Sequence, residues 1–287
     1  MSYVEQPIIF SCAGEGLLGI LSKPGSPAPV GVVIVVGGPQ YRVGSHRQFV
    51  LLARYLAASG ISVLRFDYRG MGDSTGDLRR FDDVSGDIAA AIDAFQNACP
   101  ELERIVLWGL CDAASASLMY WNATRDSRLA GLVLLNPWVR SELSLAKTHL
   151  KHYYRQRLLQ ADFWKKALSF RLGLGQSLKG LVGTLLRARA HAAALGATDS
   201  PGSFQGRMVH ALQDFPGHIL LILSGNDYTA KEFLEFCQAD AAARQALSSE
   251  KLERVELEDA DHTFSSPRHQ RAVEHATLAW LEKSLVR

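Results

Sequence analysis

A run of apolar residues that leads through a tight turn into a helix is the feature that most restricts how this chain can fold. The strand-like run 104–108 (RIVLW) is followed by the turn 109–113 (GLCDA) and then by a helix-like segment. Small residues at both ends of the turn, Gly109 and Ala113, let a strand and a helix approach each other closely. Such a turn holds its central side chain, here that of Cys111, clear of the backbone in strained geometry. The pattern predicts a nucleophile at a strand end, and the alternative is a small buried cysteine without a chemical role.

The rest of the chain alternates short apolar runs, typical of strands, with segments of helical spacing. The run 30–36 is almost entirely Val and Ile, as expected for a strand that is buried on both faces of a sheet. The alternation predicts an α/β fold with a mostly parallel central sheet flanked by helices. The predicted strands are 8–12, 17–22, 30–36, 62–66, 104–108, 129–135, 218–223 and 252–257, and the predicted helices are 48–58, 86–98, 113–120, 231–246 and 268–285.

One segment, 139–210, interrupts this alternation. It is basic and aromatic, with twelve Lys or Arg against three Asp or Glu, so it carries a net charge of +9 in a chain of net charge +2. We predict a helical cap at 139–210, inserted into an α/β core formed by 1–138 and 211–287. The charge suggests an anionic partner: an acyl carrier protein, an acidic polysaccharide or an anionic membrane surface. Nucleic acid is not expected, because no binding motif accompanies the charge.

Composition narrows the class of protein further. The chain has 287 residues, of which 47% are hydrophobic and 21% charged, which is ordinary for a globular enzyme. It lacks an apolar run of the ~18 residues that a membrane span requires, and its first ten residues lack the basic and apolar segments of a signal peptide. The four cysteines, at positions 12, 99, 111 and 237, have no metal-ligand spacing. We therefore expect a cytoplasmic protein that uses neither a metal nor an organic cofactor.

Two further side chains complete a catalytic set with Cys111. Asp227 follows the strand 218–223, and His262 follows the strand 252–257. Catalytic groups of open α/β sheets collect at the carboxyl ends of the strands. The order nucleophile, acid, histidine is that of the triads on this kind of sheet. The sequence predicts a Cys111–His262–Asp227 triad, whereas either partner taken alone would more often be a solvated side chain.

The loop after the strand 30–36 is the predicted source of a second oxyanion donor. It reads Gly37-Gly38-Pro39-Gln40, and its glycines let the backbone approach a substrate carbonyl. We assign the oxyanion hole to the N–H groups of Gly38 and Asp112, the latter at a helix N-terminus. Pro39 cannot donate, Gln40 is the reserve donor, and Gln40 and Tyr41 are the predicted substrate-binding side chains. A plain strand-to-helix turn is the alternative.

Together these motifs resemble those of the α/β-hydrolase superfamily over nearly the whole chain. The loop 67–74 (DYRGMGDS) is similar to the Arg-Gly-x-Gly-x-Ser loop common in that superfamily. More narrowly, residues 36–47, 109–112 and 224–227 resemble the first of the two exosortase A system-associated hydrolases. That resemblance implies a bacterial protein encoded near exopolysaccharide and exosortase genes, and it does not supply a substrate.

Two functions from different classes follow. The first is an enzyme that cleaves an ester or thioester, or transfers its acyl group, through an acyl-Cys111 intermediate in which His262 activates the thiol and Asp227 orients the imidazole. The second is a catalytically silent protein of the same fold that serves as an adaptor or a ligand receptor in an exopolysaccharide or exosortase system. Silent relatives typically lack a triad member, and this chain has all three, which favours the enzyme.

Overall fold

The computed structural model describes residues 2–38, 40–140 and 203–286. Contacts within the chain divide it into one unit formed by Met1–Val139 with Arg207–Arg287 and a second unit, Arg140–Gly206. The predicted cap at 139–210 lies outside the described residues for most of its length. The architecture given below is that of the first unit.

Eight strands of the described residues form one sheet, in the order β1-β2-β4-β3-β5-β6-β7-β8. The hairpin strands β1 and β2 are antiparallel, β2 pairs antiparallel with β4, and every later neighbour is parallel. The prediction of a mostly parallel α/β sheet is therefore confirmed. The strands are β1 (Tyr3–Cys12), β2 (Glu15–Pro24), β3 (Val30–Val35), β4 (Ser62–Phe66), β5 (Arg104–Leu110), β6 (Leu129–Leu135), β7 (His218–Ser224) and β8 (Leu252–Leu257).

Along the chain, helices alternate with the parallel strands, as the sequence predicts, and the last helix follows the last strand. The predicted helix 231–246 is wrong as a single element, because the chain breaks at Asp240 into two helices. The Asp240 carboxylate accepts a hydrogen bond of 2.7 Å from the N–H of Ala243 and so caps the second helix. The described helices are α1 (Gln48–Ala58), α2 (Ser85–Ala98), α3 (Asp112–Thr124), α4 (Phe204–Asp214), α5 (Tyr228–Ala239), α6 (Ala241–Leu247) and α7 (Pro267–Ser284).

Two glycines in central strands show how closely helices cover both faces of the sheet. A methyl group on Gly31 of β3 would lie 2.7 Å from the ring of Phe95 on α2. A methyl group on Gly131 of β6 would lie 2.7 Å from the ring of Trp280 on α7. All six residues of β3 are buried, so the centre of the sheet is close-packed. The loops that carry the predicted site residues leave the sheet at the carboxyl ends of its strands.

Candidate active site

Cys111 lies at the bend between β5 and α3, with a partly exposed side chain. Its backbone has φ 63° and ψ −123°, a conformation that costs a non-glycine residue about 1–3 kcal/mol. Hydrogen bonds hold the strained peptide in place: the Cys111 N–H donates to the carbonyl of Leu135 (2.8 Å), and its carbonyl accepts from the N–H of Trp138 (3.2 Å). Strain that is fixed in this way at a strand end is typical of a functional site.

Gly109 makes this bend possible, because a methyl group there would lie 2.6 Å from the backbone carbonyl of Ala113. We expect Gly109→Ala to lower the free energy of unfolding by about 1–3 kcal/mol, since the strand and helix would have to separate. Gly16→Ala is the matched control, because a methyl group on Gly16 meets nothing within 4 Å; we expect a change within about 0.5 kcal/mol. Urea denaturation measures both. Equal effects would show that the bend has room for a side chain.

Asp227 and His262 come together at the carboxyl ends of β7 and β8. The His262 Nδ1 and Asp227 Oδ2 atoms are 2.7 Å apart. The Asp227 side chain is 7% exposed and the His262 side chain 35%. Asp227 is also the N-cap of α5, where its carboxylate accepts from the N–H groups of Thr229 (3.0 Å) and Ala230 (3.2 Å). These bonds leave the carboxylate one orientation, with an oxygen on the imidazole.

The imidazole of His262 connects the acid to the thiol. Its hydrogen bonds with Asp227 and with Cys111 raise the pKa of His262 to about 10, against the opposing effect of burial. Both partners favour the charged ring, because each places negative charge or an acceptor against an N–H of the imidazolium. The structure therefore brings the three predicted triad residues together, with the imidazole of His262 between the Asp227 carboxylate and the Cys111 side chain.

This pKa predicts a pH dependence of stability. An unperturbed histidine has a pKa of about 6.5, so folding raises the affinity of His262 for its proton. Its contribution to stability is then complete below pH ~6.5 and is lost as the pH rises through about 10. We expect the difference in unfolding free energy between wild type and His262→Gln to shrink over this window, as measured by urea denaturation. Asp227→Asn should reduce the same pH dependence, and an unchanged difference from pH 6 to 10 would contradict the pairing.

Asn136 is a site residue that the sequence analysis missed. It has φ 43°, is fully buried, and lies directly after β6. Its Nδ2 group donates to Ser224 Oγ (2.9 Å) and to the backbone carbonyl of His262 (3.1 Å), and its Oδ1 accepts from the Ser224 N–H (2.9 Å). One amide thus ties the ends of β6 and β7 to the loop that carries the imidazole. The sequence Asn-Pro after a strand indicates only a turn, so no local pattern reveals this role.

The two predicted oxyanion donors belong to the loop after β3 and to the first turn of α3, and the side chain of Asp112 reaches from α3 to that loop. Gly38 has φ 58°, and its N–H donates a hydrogen bond of 2.9 Å to Asp112 Oδ2. A methyl group on Gly37 would lie 2.2 Å from Asp112 Oδ1, so this glycine makes room for the carboxyl group. Burial raises the pKa of Asp112, although the N–H of Gly38 opposes that shift. The backbone N–H of Asp112 is a predicted donor of this site, and the side chain of the same residue lies there as well.

The predicted substrate-binding residues lie on the same loop. Gln40 Oε1 accepts from the Ser45 N–H (3.2 Å), so this amide supports the loop. The Tyr41 side chain is 46% exposed, and the Arg42 guanidinium lies over its ring, 5.8 Å from the centroid. Arg42 in turn anchors the loop through the buried Asp67, which also accepts from the Arg42 backbone N–H (2.6 Å). Pro39 lies outside the described residues.

The described residues contain no group of three or more His, Cys, Asp or Glu side chains placed to hold a metal ion. Across these same ranges, no helix has both the length and the apolar character that crossing a membrane demands.

A strained strand-to-helix bend, an aspartate–histidine pair at successive strand ends and a mostly parallel sheet with this strand order are typical of α/β-hydrolases. A family model described as "Alpha/beta hydrolase family" matches residues 32–276. The chain therefore belongs to the alpha/beta hydrolase family. No curated protein has significant sequence similarity to it.

Solved structures with the same fold cover nearly the whole chain. An esterase of Pyrococcus furiosus has a TM-score of 0.64 at 16% identity, covering 99% of this chain and 94% of the esterase. The alpha/beta hydrolase GrgF from Penicillium sp. has a TM-score of 0.65 at 18% identity, with 99% and 100% covered. A dienelactone hydrolase from Anabaena variabilis has a TM-score of 0.62 at 16% identity, with 100% of both chains covered. At these identities the likeness establishes the fold.

Proposed function

We propose that the protein is a hydrolase or acyltransferase that cleaves an ester or thioester through an acyl-Cys111 intermediate. The observation that carries this proposal is the position of the His262 ring, which is hydrogen-bonded to Asp227 at 2.7 Å and to Cys111. A thiol, a base and a carboxylate that orients the base form a set of groups that supports covalent acyl transfer. The esterase and hydrolase structures of the same fold support this class of reaction.

In the first half-reaction, the Cys111 thiol gives its proton to His262 as its sulfur attacks the acyl carbon, and the electron pair of the carbonyl moves to its oxygen. The tetrahedral intermediate collapses, the bond to the leaving oxygen or sulfur breaks, and the leaving group takes a proton from His262. In the second half-reaction, water, an alcohol, an amine or a thiol gives a proton to His262 and attacks the thioester. The second tetrahedral intermediate collapses, the carbon–sulfur bond breaks, and the sulfur takes the proton from His262, which restores the free thiol.

The oxyanion of both intermediates needs hydrogen-bond donors at the bend. The N–H groups of Gly38 and Asp112 are the proposed pair, and removal of one such donor typically costs about 2.7–4 kcal/mol. Asp227 contributes by holding the imidazole with Nδ1 toward the acid, which leaves Nε2 for the sulfur and the leaving group.

The experiment that tests this function combines labelling with intact-mass measurement. We expect iodoacetamide at pH 6 to modify Cys111 faster than the buried cysteines at 12, 99 and 237, because the Cys111 side chain is partly exposed and lies beside the His262 imidazole. Incubation with activated acyl esters and thioesters of increasing chain length should then give a mass increase equal to one acyl group, mapped to Cys111. Slow labelling and no adduct with any ester would instead support the silent adaptor.

One observation favours that second function, a catalytically silent adaptor or ligand receptor. The N–H of Gly38, a proposed oxyanion donor, is engaged by the Asp112 carboxyl group. The resemblance to the exosortase-associated hydrolases supports an exopolysaccharide setting for either function. An anionic partner at the basic segment 139–210 remains part of the proposal, and its binding should weaken as salt increases.

A further inference from the structure

The carboxyl group of Asp112 occupies the position at which an acyl oxygen would be expected to bind. Its Oδ2 atom accepts the Gly38 N–H at 2.9 Å. The backbone N–H groups of Ala113 and of Asp112 itself, in the first turn of α3, oppose the rise in the pKa of this carboxyl group. One of the two backbone donors proposed for the substrate, the N–H of Gly38, therefore donates to a side chain of the protein, and the other belongs to the residue that carries that side chain.

The surrounding atoms leave this carboxyl group little freedom. Oδ1 is buried and, within the described part of the chain, accepts no hydrogen bond of normal geometry. It lies against the Cα of Gly37, where a methyl group would approach it to 2.2 Å. A buried carboxyl oxygen without a partner is costly. The chain thus keeps a polar group in an unfavourable position between the two halves of the oxyanion site.

We propose that the Asp112 carboxyl group is a resident ligand of the oxyanion site, which the carbonyl oxygen of the substrate must displace before Cys111 can be acylated. This inference rests on the proposed function and makes Asp112 a determinant of the acylation rate. One N–H cannot make a linear hydrogen bond to two oxygens at once. A carboxylate that stayed in place would also repel the negative charge that develops on the substrate oxygen.

Two substitutions at the same position separate occupation from charge. Asp112→Ala empties the site and leaves the Gly38 N–H free. Asp112→Asn keeps the shape and an acceptor oxygen, so the Gly38 N–H stays engaged. We expect kcat/KM for p-nitrophenyl acetate to be at least 10-fold higher in the alanine variant than in the asparagine variant. An alanine variant equal to or slower than the asparagine variant would overturn the proposal and make Asp112 a support of the loop.

A second readout does not depend on catalysis. The backbone amide resonance of Gly38 in a ¹⁵N-labelled protein should shift with pH as Asp112 titrates, and this shift should vanish in Asp112→Ala. Acetate added to Asp112→Ala should move the Gly38 resonance saturably, because a small anion refills the vacated site, and should not do so in Asp112→Asn. A Gly38 resonance that changes neither with the titration of Asp112 nor with added acetate would overturn this inference, whatever activity the variants have. If the Gly38 resonance shifts as expected but no variant forms an acyl adduct on Cys111, the enzymatic function is overturned. The occupation of the Gly38 N–H by the Asp112 carboxyl group would still be established.

Discussion

Cys111→Ala is expected to lower kcat/KM for any acyl ester that the protein hydrolyses by at least about 10³-fold. The variant removes the sulfur that we propose to form the acyl bond, and it leaves the proposed donors and the acid–histidine pair in place. Alanine fits the bend because it is smaller than cysteine and the strain lies in the backbone. Initial-rate measurements with the best ester of the chain-length series give the ratio, and intact-mass measurement should show no acyl adduct.

The matched control is Cys99→Ala, since Cys99 is a free and fully buried cysteine at the end of α2. We expect this variant to keep wild-type activity within a factor of two and to lose some stability through the cavity it leaves. Cys111→Ser tests the thiol itself, because a hydroxyl is far less ionised than a thiol at neutral pH; its activity should fall between those of alanine and wild type. Full activity in Cys111→Ala would rule out covalent catalysis by this residue.

Asp227→Asn is expected to lower kcat/KM by about 10²–10⁴-fold. An asparagine amide turned toward His262 Nδ1 offers an N–H in place of an acceptor, so the ring loses the partner that fixes its tautomer. The pKa of His262, which the hydrogen bond to Asp227 raises, should fall toward its ordinary value. The pH profile of kcat/KM should therefore change shape as well as height.

Asp240→Asn provides a matched control, because Asp240 is also an N-cap aspartate and caps α6 through the Ala243 N–H. Asparagine is a good N-cap residue, so both variants should retain their helices. We expect Asp240→Asn to leave kcat/KM and its pH profile unchanged. Equal activities of the two variants would show that Asp227 acts only as a helix cap.

The central strands could be predicted from sequence because burial on both faces produces a plain apolar run. β3, β6 and β7 begin and end within one residue of their predicted bounds. β5 extends two residues beyond its prediction, through Gly109 and Leu110, because parallel pairing with β6 continues to Leu135. The break at Asp240 escaped prediction because the alanine-rich segment after it keeps helical spacing. The extended backbone of Asp240 (φ −100°, ψ 126°) and the hydrogen bond from the Ala243 N–H distinguish this cap from a helix interior.

The site residues also fall into two groups: those that a local sequence pattern predicts, and those that depend on contacts between distant parts of the chain. Strand ends and chain order placed Cys111, Asp227 and His262, since parallel strands carry their carboxyl ends to one edge of the sheet. The carboxyl group of Asp112 and the amide of Asn136 act on partners 74 and 126 residues away. Such contacts depend on how separate loops meet in three dimensions. No spacing in the sequence encodes them.

His262 follows β8, which is the outermost strand of the sheet, and none of the six residues of β8 is buried. Cys111, in contrast, follows a strand at the sheet centre. Peripheral strands detach locally at a lower free energy than central ones. On warming, the imidazole should therefore separate from the sulfur before the hydrophobic core melts. The temperature of heat inactivation would then be determined by fraying of the edge strand β8. Activity should return on cooling without refolding of the hydrophobic core.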